Sequence, residues 1–107
     1  MNDIILLDDD NFAEEVYTTK KPILIEFMAS WCDNCKEFED KFKNLMKIYD
    51  KKVKFAKVDI DKSYRLSNGL KIKKLPTFII YYEGKPISFI IGNVSLYEFK
   101  KIFEEIL

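Results

Sequence analysis

The sequence predicts an α/β fold, with a central mixed sheet of five strands flanked on both faces by four helices. Apolar runs typical of strands alternate along the chain with segments of helical periodicity, in the order β-α-β-α-β-α-β-β-α. The alternating first part is typical of parallel crossover connections. Only Glu83 and Gly84 separate the last two strand segments, which favours an antiparallel hairpin at the end of the sheet.

Length and charge restrict the class of protein. A chain of 107 residues and 12.7 kDa is expected to form one domain over residues 1–107. Its 18 basic and 18 acidic residues give a formal charge of +0, which removes the electrostatic argument for a nucleic-acid or anionic-membrane partner. No apolar run approaches the roughly 20 residues of a membrane span, and the N-terminus lacks the basic start of a signal peptide. We therefore expect a cytoplasmic protein, with the monomer as the default state.

Each element has a local signal in the first half of the chain. Residues 3–7 predict a short strand, and Asp9 or Asp10 can cap a helix over residues 11–18. Residues 23–29 form a near-continuous apolar run, typical of a strand covered on both faces, in which Glu26 is the one charge.

The longest predicted helix covers residues 32–49. One face of this helix carries side chains at helical spacing that we expect to pack in the core: Cys35, Phe38, Phe42, Leu45, Met46 and Tyr49. The opposite face is charged and predicted to be solvated surface.

The second half predicts strands over residues 53–60, 77–82 and 85–91, with Pro86 suited to an edge strand. A short helix after Asp61 or Ser63 ends at Asn68-Gly69. Residues 95–98, Ser-Leu-Tyr-Glu, have the capping-box pattern and begin a last helix. Its expected apolar face consists of Leu96, Phe99, Phe103 and Ile106.

Cys32 and Cys35 are the two cysteines of the sequence and lie at the start of the longest predicted helix. Residues three apart on a helix have β-carbons about 5–6 Å apart, and a disulfide joins α-carbons about 4.4–6.8 Å apart. One helical turn can therefore hold the two sulfurs bonded or free. Unpaired N–H groups and the dipole at a helix start favour the thiolate, the reacting form of cysteine. The spacing thus favours reversible dithiol–disulfide chemistry.

Further segments accompany the cysteine pair. Residues 23–35 read ILIEFMASWCDNC, residues 55–61 read FAKVDID, and Leu75-Pro76-Thr77 precedes the late glycines Gly84 and Gly92. A CxxC pair near a βαβ pattern is typical of thioredoxin-like proteins. Over essentially its whole length the chain resembles the thioredoxin family. The resemblance implies a thioredoxin fold and a thiol–disulfide oxidoreductase that reduces protein disulfides.

The resemblance also implies a role for each matching residue. Cys32 is expected to be an exposed nucleophile of low pKa, and Cys35, one turn deeper, to resolve the mixed disulfide. Pro76 is expected in cis beside the cysteines, with the Leu75 backbone free to pair with an extended substrate segment. The other expected substrate-binding residues are Trp31, Asp33, Asn34, Ile91, Gly92 and Asn93. The implied partners are disulfide-containing proteins and a thioredoxin-reductase-type electron donor, with no bound cofactor.

Glu26 matches the family's buried aspartate, which accepts the proton of the resolving cysteine. A carboxyl group within an apolar strand should have a raised pKa, which suits a base working near neutrality. Lys57 matches the lysine that accompanies this acid. Without the resemblance, the favoured interpretation would place Glu26 at a strand end in water, with Lys57 extending to solvent.

The sequence departs from the family between the cysteines, where Asp33 and Asn34 replace the usual glycine and proline. A carboxylate beside Cys32 should raise the pKa of its thiol, whereas Lys36 and the lysines Lys73 and Lys74 near Pro76 favour the thiolate. Since an acidic residue at 33 opposes the thiolate stabilisation of strong oxidants, we expect a reductant.

Other interpretations remain open at this stage. The cysteine pair cannot complete a zinc site alone, because the sequence has no histidine and no third cysteine. Asp33 or a second chain would have to supply further ligands. A glutaredoxin-like dimer sharing an iron–sulfur cluster, a non-catalytic binding module, and a disulfide isomerase or oxidase are further alternatives. The potential and the compartment, rather than the sequence, distinguish the isomerase or oxidase from a reductase.

Overall fold

A computed structural model describes residues 4–107, so Asp3, the first residue of the predicted opening strand, lies outside the described residues. The described part of the chain forms five strands and four helices in the predicted order. The strands are β1 (Ile4–Leu7), β2 (Ile23–Met28), β3 (Lys54–Asp59), β4 (Thr77–Tyr82) and β5 (Lys85–Ile91). The helices are α1 (Phe12–Tyr17), α2 (Asp33–Ile48), α3 (Tyr64–Gly69) and α4 (Tyr97–Ile106).

The strands form one mixed sheet in the order β1-β3-β2-β4-β5. The β1, β3 and β2 strands are parallel, whereas β4 is antiparallel to both β2 and β5. The hairpin between β4 and β5 turns at Glu83 and Gly84, which both have positive φ, at 54° and 77°. Two such residues form the type of turn whose twist suits a two-residue hairpin. The predicted mixed sheet and its closing hairpin are therefore confirmed.

Buried side chains cover both faces of the sheet. Alternation along β2 sends Leu24 to the face packed against α2 and α4, while Ile23 and Ile25 face the layer of α1 and α3. By the same alternation Glu26 belongs to the α2 face. The prediction that β2 is covered on both faces is confirmed. This arrangement explains why Glu26 lies buried beneath α2.

Helix α2 connects the core to the site. The predicted buried face is confirmed, because all six of its predicted residues are buried: Cys35, Phe38, Phe42, Leu45, Met46 and Tyr49. The Phe38 ring packs against the rings of Phe78 on β4 and Phe99 on α4, with centroid distances of 4.5 and 5.5 Å. This aromatic cluster fixes the first turns of α2 against the sheet.

No helix within residues 4–107 is long and apolar enough to cross a membrane.

Two predicted helix caps are wrong. Helix α1 begins after Asn11, so neither Asp9 nor Asp10 is its N-cap. Asp9 instead accepts a hydrogen bond from the Leu66 amide and lies 3.8 Å from Arg65 Nε. Tertiary contact with α3 thus takes the carboxylate that the local pattern assigned to α1. Helix α4 begins after Leu96, so Leu96 and not Ser95 is at the N-cap position. Within residues 4–107 no side chain forms a cap hydrogen bond there, and the predicted capping box is not formed.

Candidate active site

The cysteine pair lies where β2 passes into α2. Cys32 is the N-cap of α2, with extended backbone angles (φ −87°, ψ 109°), and its Sγ accepts a hydrogen bond of 3.0 Å from the Cys35 amide. The two cysteines are joined by a disulfide across an α-carbon separation of 5.3 Å. One helical turn therefore holds the pair as predicted, with the first sulfur satisfying an otherwise unpaired amide of the helix start.

In this oxidised form the exposure of Cys32 differs from the prediction. Cys32 is 6% exposed and Cys35 is 5% exposed. The prediction that Cys32 is exposed and Cys35 is not is therefore wrong. The two residues differ instead in the space they face. Cys32 lines a surface depression of about 340 Å³, whereas Cys35 lines a smaller, partly open pocket of about 140 Å³, which we call the inner cavity.

The surface depression brings four of the eight predicted substrate-binding residues together with Cys32. Its lining consists of Trp31, Cys32, Asp33, Asn34, Lys73 and Leu75. Trp31 is 62% exposed, and its Nε1 donates a 2.8 Å hydrogen bond to Asp61. The indole is therefore fixed at its nitrogen while its ring remains open to solvent. Lys73 supplies positive charge to the same depression.

The Leu75–Pro76 segment borders the site, because Leu75 packs against the cluster that contains Cys32 and Cys35. The Leu75–Pro76 peptide bond is cis, as predicted from the resemblance. No backbone hydrogen bond of Leu75 is formed within residues 4–107, so its amide and carbonyl are available to another chain. The Gly92 amide donates a 2.8 Å hydrogen bond to the Pro76 carbonyl oxygen, which joins the end of β5 to the proline. Gly92 has φ 97°, a conformation that favours glycine.

Asn93 contacts α2, a connection that the sequence did not predict. Its Oδ1 accepts a hydrogen bond of 3.1 Å from Lys41 Nζ, and Lys41 also donates to the Val94 carbonyl at 3.1 Å. The Asn93 amide nitrogen donates to Glu37 at 3.3 Å. Lys41 and Glu37 therefore fasten the segment after β5 to the active-site helix. We call these contacts the lip clamp.

The inner cavity contacts both Cys35 and Glu26. Glu26, Cys35, Glu39 and Lys57 are among its lining residues, and its volume is sufficient for several water molecules. Glu26 is 1% exposed, and its Oε1 accepts no hydrogen bond from any described residue. The alternative that Glu26 lies in water at a strand end is therefore excluded.

Burial raises the pKa of Glu26 to about 7, from an ordinary value of 4.5. Desolvation is the main cause, because a buried carboxylate loses the stabilisation of water. The positive charge of Lys57 opposes this rise, and the negative charge of Glu39 adds to it. The predicted direction of the shift is confirmed, and a carboxyl with this pKa can accept or donate a proton near neutral pH.

Glu39 is the part of the site that the sequence reasoning missed. Its two carboxylate oxygens accept hydrogen bonds of 3.0 and 2.7 Å from Lys57 Nζ. Glu39 lies four residues after Cys35, on the same side of α2, and this spacing was the one signal that could have identified it. The Lys57 ammonium lies 3.9 Å from Glu26 Oε1 and 4.9 Å from the centre of the Phe42 ring.

Comparison with known proteins agrees with this geometry. The family model described as Thioredoxin matches residues 3–105. The chain belongs to the thioredoxin family. A thioredoxin of Buchnera aphidicola subsp. Acyrthosiphon pisum is 31% identical over 105 residues, covering 98% of this chain and 97% of that protein. A thioredoxin of Griffithsia pacifica is 30% identical over 86 residues, covering 80% of this chain and 79% of that protein.

A solved structure has the same fold. It comes from work described as the "Structural basis of the thiol resolving mechanism in yeast mitochondrial 1-Cys peroxiredoxin via glutathione/thioredoxin systems". The matching chain has a TM-score of 0.85 and 25% identity, and the match covers 95% of this chain and 94% of that one. The predicted thioredoxin fold is thus confirmed.

Family membership and the cysteine pair together define the chemistry of this thioredoxin-family protein. It is a thiol–disulfide oxidoreductase of the protein-disulfide reductase type. Members of the family act on disulfide-containing proteins and regain their electrons from a reductase donor. The two electrons reside on the Cys32 and Cys35 sulfurs, since the disulfide and the dithiol differ by two electrons.

Proposed function

We propose that this protein reduces the disulfides of cytoplasmic proteins as a single domain and a monomer, with Cys32 attacking and Cys35 resolving. One observation carries the assignment of the two roles. The Cys32 side of the disulfide faces the surface depression, where a substrate can approach, whereas Cys35 faces the inner cavity that holds Glu26.

The first step is attack on the substrate. The Cys32 thiolate forms a bond to one sulfur of the substrate disulfide, and the other substrate sulfur leaves as a thiolate. The position of Cys32 at the N-cap of α2 supports the thiolate, because the helix dipole and the Cys35 amide both favour negative charge on Sγ.

The second step releases the substrate. The Cys35 thiol gives its proton to the Glu26 carboxylate through water in the inner cavity, and the resulting thiolate attacks Cys32 Sγ. The Cys32–Cys35 disulfide forms, and the second substrate sulfur leaves as a thiolate, so that the substrate gains two electrons and this protein loses two. Glu26 suits this proton transfer because it is buried, lines the same cavity as Cys35 and has a pKa of about 7.

The substrate segment is proposed to lie between Trp31 and the lip formed by Ile91, Gly92 and Asn93. The open Leu75 backbone can pair with an extended chain, and Ile91, which pairs with Thr77 in the sheet, is 57% exposed. The exposed Trp31 ring offers apolar contact, and Asp33 and Asn34 complete the rim.

The direction of the reaction is proposed to be reductive, with a reductase-type donor restoring the dithiol. Asp33 is almost fully exposed beside Cys32 and lies 4.0 Å from Lys36. Its negative charge opposes stabilisation of the Cys32 thiolate, which is the property that makes a dithiol protein a strong oxidant. We therefore expect a reduction potential at or below the cytosolic glutathione poise, roughly −220 to −260 mV by biochemical extraction.

The roles of the two cysteines are tested with a matched pair of variants, Cys35→Ser and Cys32→Ser. Each reduced variant is incubated with insulin, whose disulfides serve as the probe, and adducts are measured by mass spectrometry without reductant. Cys35→Ser should accumulate a mixed disulfide through Cys32, because the resolving thiol is missing. Equal adduct in the Cys32→Ser variant would contradict the assignment.

The direction is tested by equilibrating the wild-type protein with defined glutathione buffers. A potential near that of disulfide isomerases, about −180 mV, or higher would show that Asp33 is outweighed and that the protein is an isomerase or oxidase. The Asp33→Asn variant provides the internal comparison, since its potential should be higher than that of the wild type.

A further inference from the structure

We propose that Glu39 is a positioning residue for the second step of the exchange reaction, because its ion pair holds the Lys57 ammonium group away from Glu26. This inference rests on the proposed role of Glu26 as the proton acceptor for Cys35. Glu39 itself contacts neither a reacting sulfur nor the transferred proton, and acts through Lys57.

The distances around Lys57 carry the argument. Lys57 pairs with Glu26 in the β2–β3 register, so its side chain starts directly beside the buried acid. Its ammonium group nevertheless lies 2.7 and 3.0 Å from the Glu39 oxygens and 3.9 Å from Glu26 Oε1. A nitrogen at 3.9 Å is too distant for a hydrogen bond, whereas both contacts to Glu39 are charge-assisted hydrogen bonds. Glu39 therefore holds the cation that Glu26 would otherwise bind.

The difference in burial favours Glu39 over Glu26 as the partner of the Lys57 ammonium group. The Lys57 side chain is 14% exposed, and the Glu39 side chain is 38% exposed. Glu39 can therefore keep partial contact with water while it binds Lys57, so its carboxylate loses less hydration than that of Glu26. The Phe42 ring, 4.9 Å from the ammonium, further favours the observed position.

Among the titratable groups that face Glu26, Lys57 is the cation whose position Glu39 can change. From α2, the titratable groups lining the inner cavity are Cys35, Lys36 and Glu39, and from β3 the one lining group is Lys57. On β4, the register partner of Glu26 is the apolar Phe78. The Lys36 side chain is 67% exposed and lies 4.0 Å from Asp33, so it is directed toward the rim of the site.

The free Glu26 oxygen is the consequence for the reaction. An ammonium group bound directly to Glu26 would favour its carboxylate and weaken it as a proton acceptor. With Lys57 held by Glu39, Glu26 Oε1 has no hydrogen-bond donor among the described residues and lies in a cavity that reaches Cys35. The acid can then take the Cys35 proton through water and release it again.

The test is the Glu39→Gln variant, with Asp40→Asn as the matched control. Asp40 is the next residue on α2, is exposed and loses the same charge when it is replaced by asparagine. The Glu26 carboxyl carbon is followed by NMR against pH in the oxidised proteins, and the rate of insulin disulfide reduction is measured over the same range. We expect the Glu26 midpoint to fall by about one pH unit in Glu39→Gln, because Lys57 moves toward Glu26 and a negative neighbour is lost. The control should titrate like the wild type, and an unchanged or higher midpoint in Glu39→Gln would overturn the proposal.

A second background separates positioning from charge alone. In Lys57→Met, the Glu39→Gln substitution should move the Glu26 midpoint by much less, since no cation remains to be redirected. An equal shift in both backgrounds would show that Glu39 acts only through its own charge, against the proposal.

The role of Glu26 is tested separately by Glu26→Gln. If the pH inflection of the reduction rate persists in that variant, Glu26 is not the proton acceptor, and the proposal that Glu39 serves this step fails with it. The two proposals can also fail separately. If Glu26→Gln loses the inflection, while Glu39→Gln shows it at the same pH as the wild type, Glu26 keeps its role and only the inference about Glu39 is overturned.

Discussion

Lys57 stands opposite Glu26 on the adjacent parallel strand, but its ammonium group is 3.9 Å from Glu26 Oε1 and 2.7 Å from Glu39 Oε2. The buried acid is thus adjacent to a cation that is bound elsewhere. This arrangement explains why desolvation dominates the environment of Glu26 and why its pKa lies near 7 despite a neighbouring lysine.

The buried acid should make the stability of the protein dependent on pH. The pKa of Glu26 is about 7 in the folded state and 4.5 ordinarily, so folding favours its protonated form. This group therefore imposes no penalty below pH 4.5, and the penalty grows as the pH rises and is complete above pH 7. The difference of about 2.5 pH units corresponds to about 3 kcal/mol.

The Glu26→Gln substitution removes this titration. We expect the free energy of unfolding of the variant, relative to wild type, to increase by about 3 kcal/mol between pH 4.5 and pH 8. Urea unfolding of the oxidised proteins at both pH values provides the measurement. Glu105→Gln, at an exposed position on α4, is the control for loss of a carboxylate and should show no such gain. A constant difference between Glu26→Gln and wild type would contradict the raised pKa.

The two glycines at positions 92 and 69 should respond oppositely to alanine. A Cβ would meet no atom within 4 Å at either position, so steric contact does not distinguish them. Gly92 has φ 97°, a conformation that an L-residue adopts only with strain. We expect Gly92→Ala to lower the free energy of unfolding by about 1–2 kcal/mol. Gly69→Ala, at the end of α3, should be neutral or raise it by up to about 1 kcal/mol. Equal effects in urea unfolding would show that φ is not the determining factor.

The aromatic cluster beneath the cysteines should dominate the stability of α2. Phe38 is fully buried, one turn after Cys35, and packs against Phe78 and Phe99. Phe38→Ala should cost about 3–5 kcal/mol in urea unfolding, because it leaves a cavity between α2, α4 and the sheet. Ile48→Ala, at a half-exposed position of the same helix, should cost much less. A loss below about 1 kcal/mol for Phe38→Ala would mean that the neighbouring rings close the cavity.

The fold could be predicted because its signals are local and repeated. The segments for β4 and β5 have the predicted bounds, and the buried face of α2 is the predicted set of side chains. Hydrophobic periodicity reports burial directly, since a strand or helix must bury its apolar face. Glu26 stands out as the one charge in an otherwise apolar strand, but the local pattern alone favours a solvated strand end. Its buried position is predicted only through the resemblance to the thioredoxin family.

The rest of the site depends on the reach of long side chains between elements. The spacing of four residues from Cys35 places Glu39 on the cysteine side of α2, but it does not predict a partner. The pairing of Glu39 with Lys57 requires the docking of α2 over β3. The local pattern offers Asp9 or Asp10 as the cap of α1, yet Asp9 binds an amide that α3 supplies. Such contacts depend on which elements become neighbours, and a local pattern contains no information about them.

The lip clamp should affect substrates that extend along the site more than small disulfides. Lys41 Nζ joins α2 to Asn93 and to the Val94 carbonyl, at 3.1 Å each, and so holds the segment that follows Gly92. In Lys41→Met both hydrogen bonds are lost and this segment is less fixed. A hydrogen bond to a charged group contributes about 1.5–3 kcal/mol, and water partly replaces it when the lysine is lost. We therefore expect a several-fold rise in KM for insulin.

The same variant should reduce a small aromatic disulfide at close to the wild-type rate, because the Cys32 environment is unchanged. Lys43→Met, at an exposed position on the same helix, controls for the loss of a positive charge from α2. Steady-state kinetics of the three proteins with both disulfides separates the possibilities. A parallel loss of activity on insulin and on the small disulfide would mean that Lys41 supports the cysteine pair rather than the lip. An unchanged KM for insulin would mean that the segment after Gly92 does not bind the substrate, and it would remove Asn93 from the proposed substrate surface.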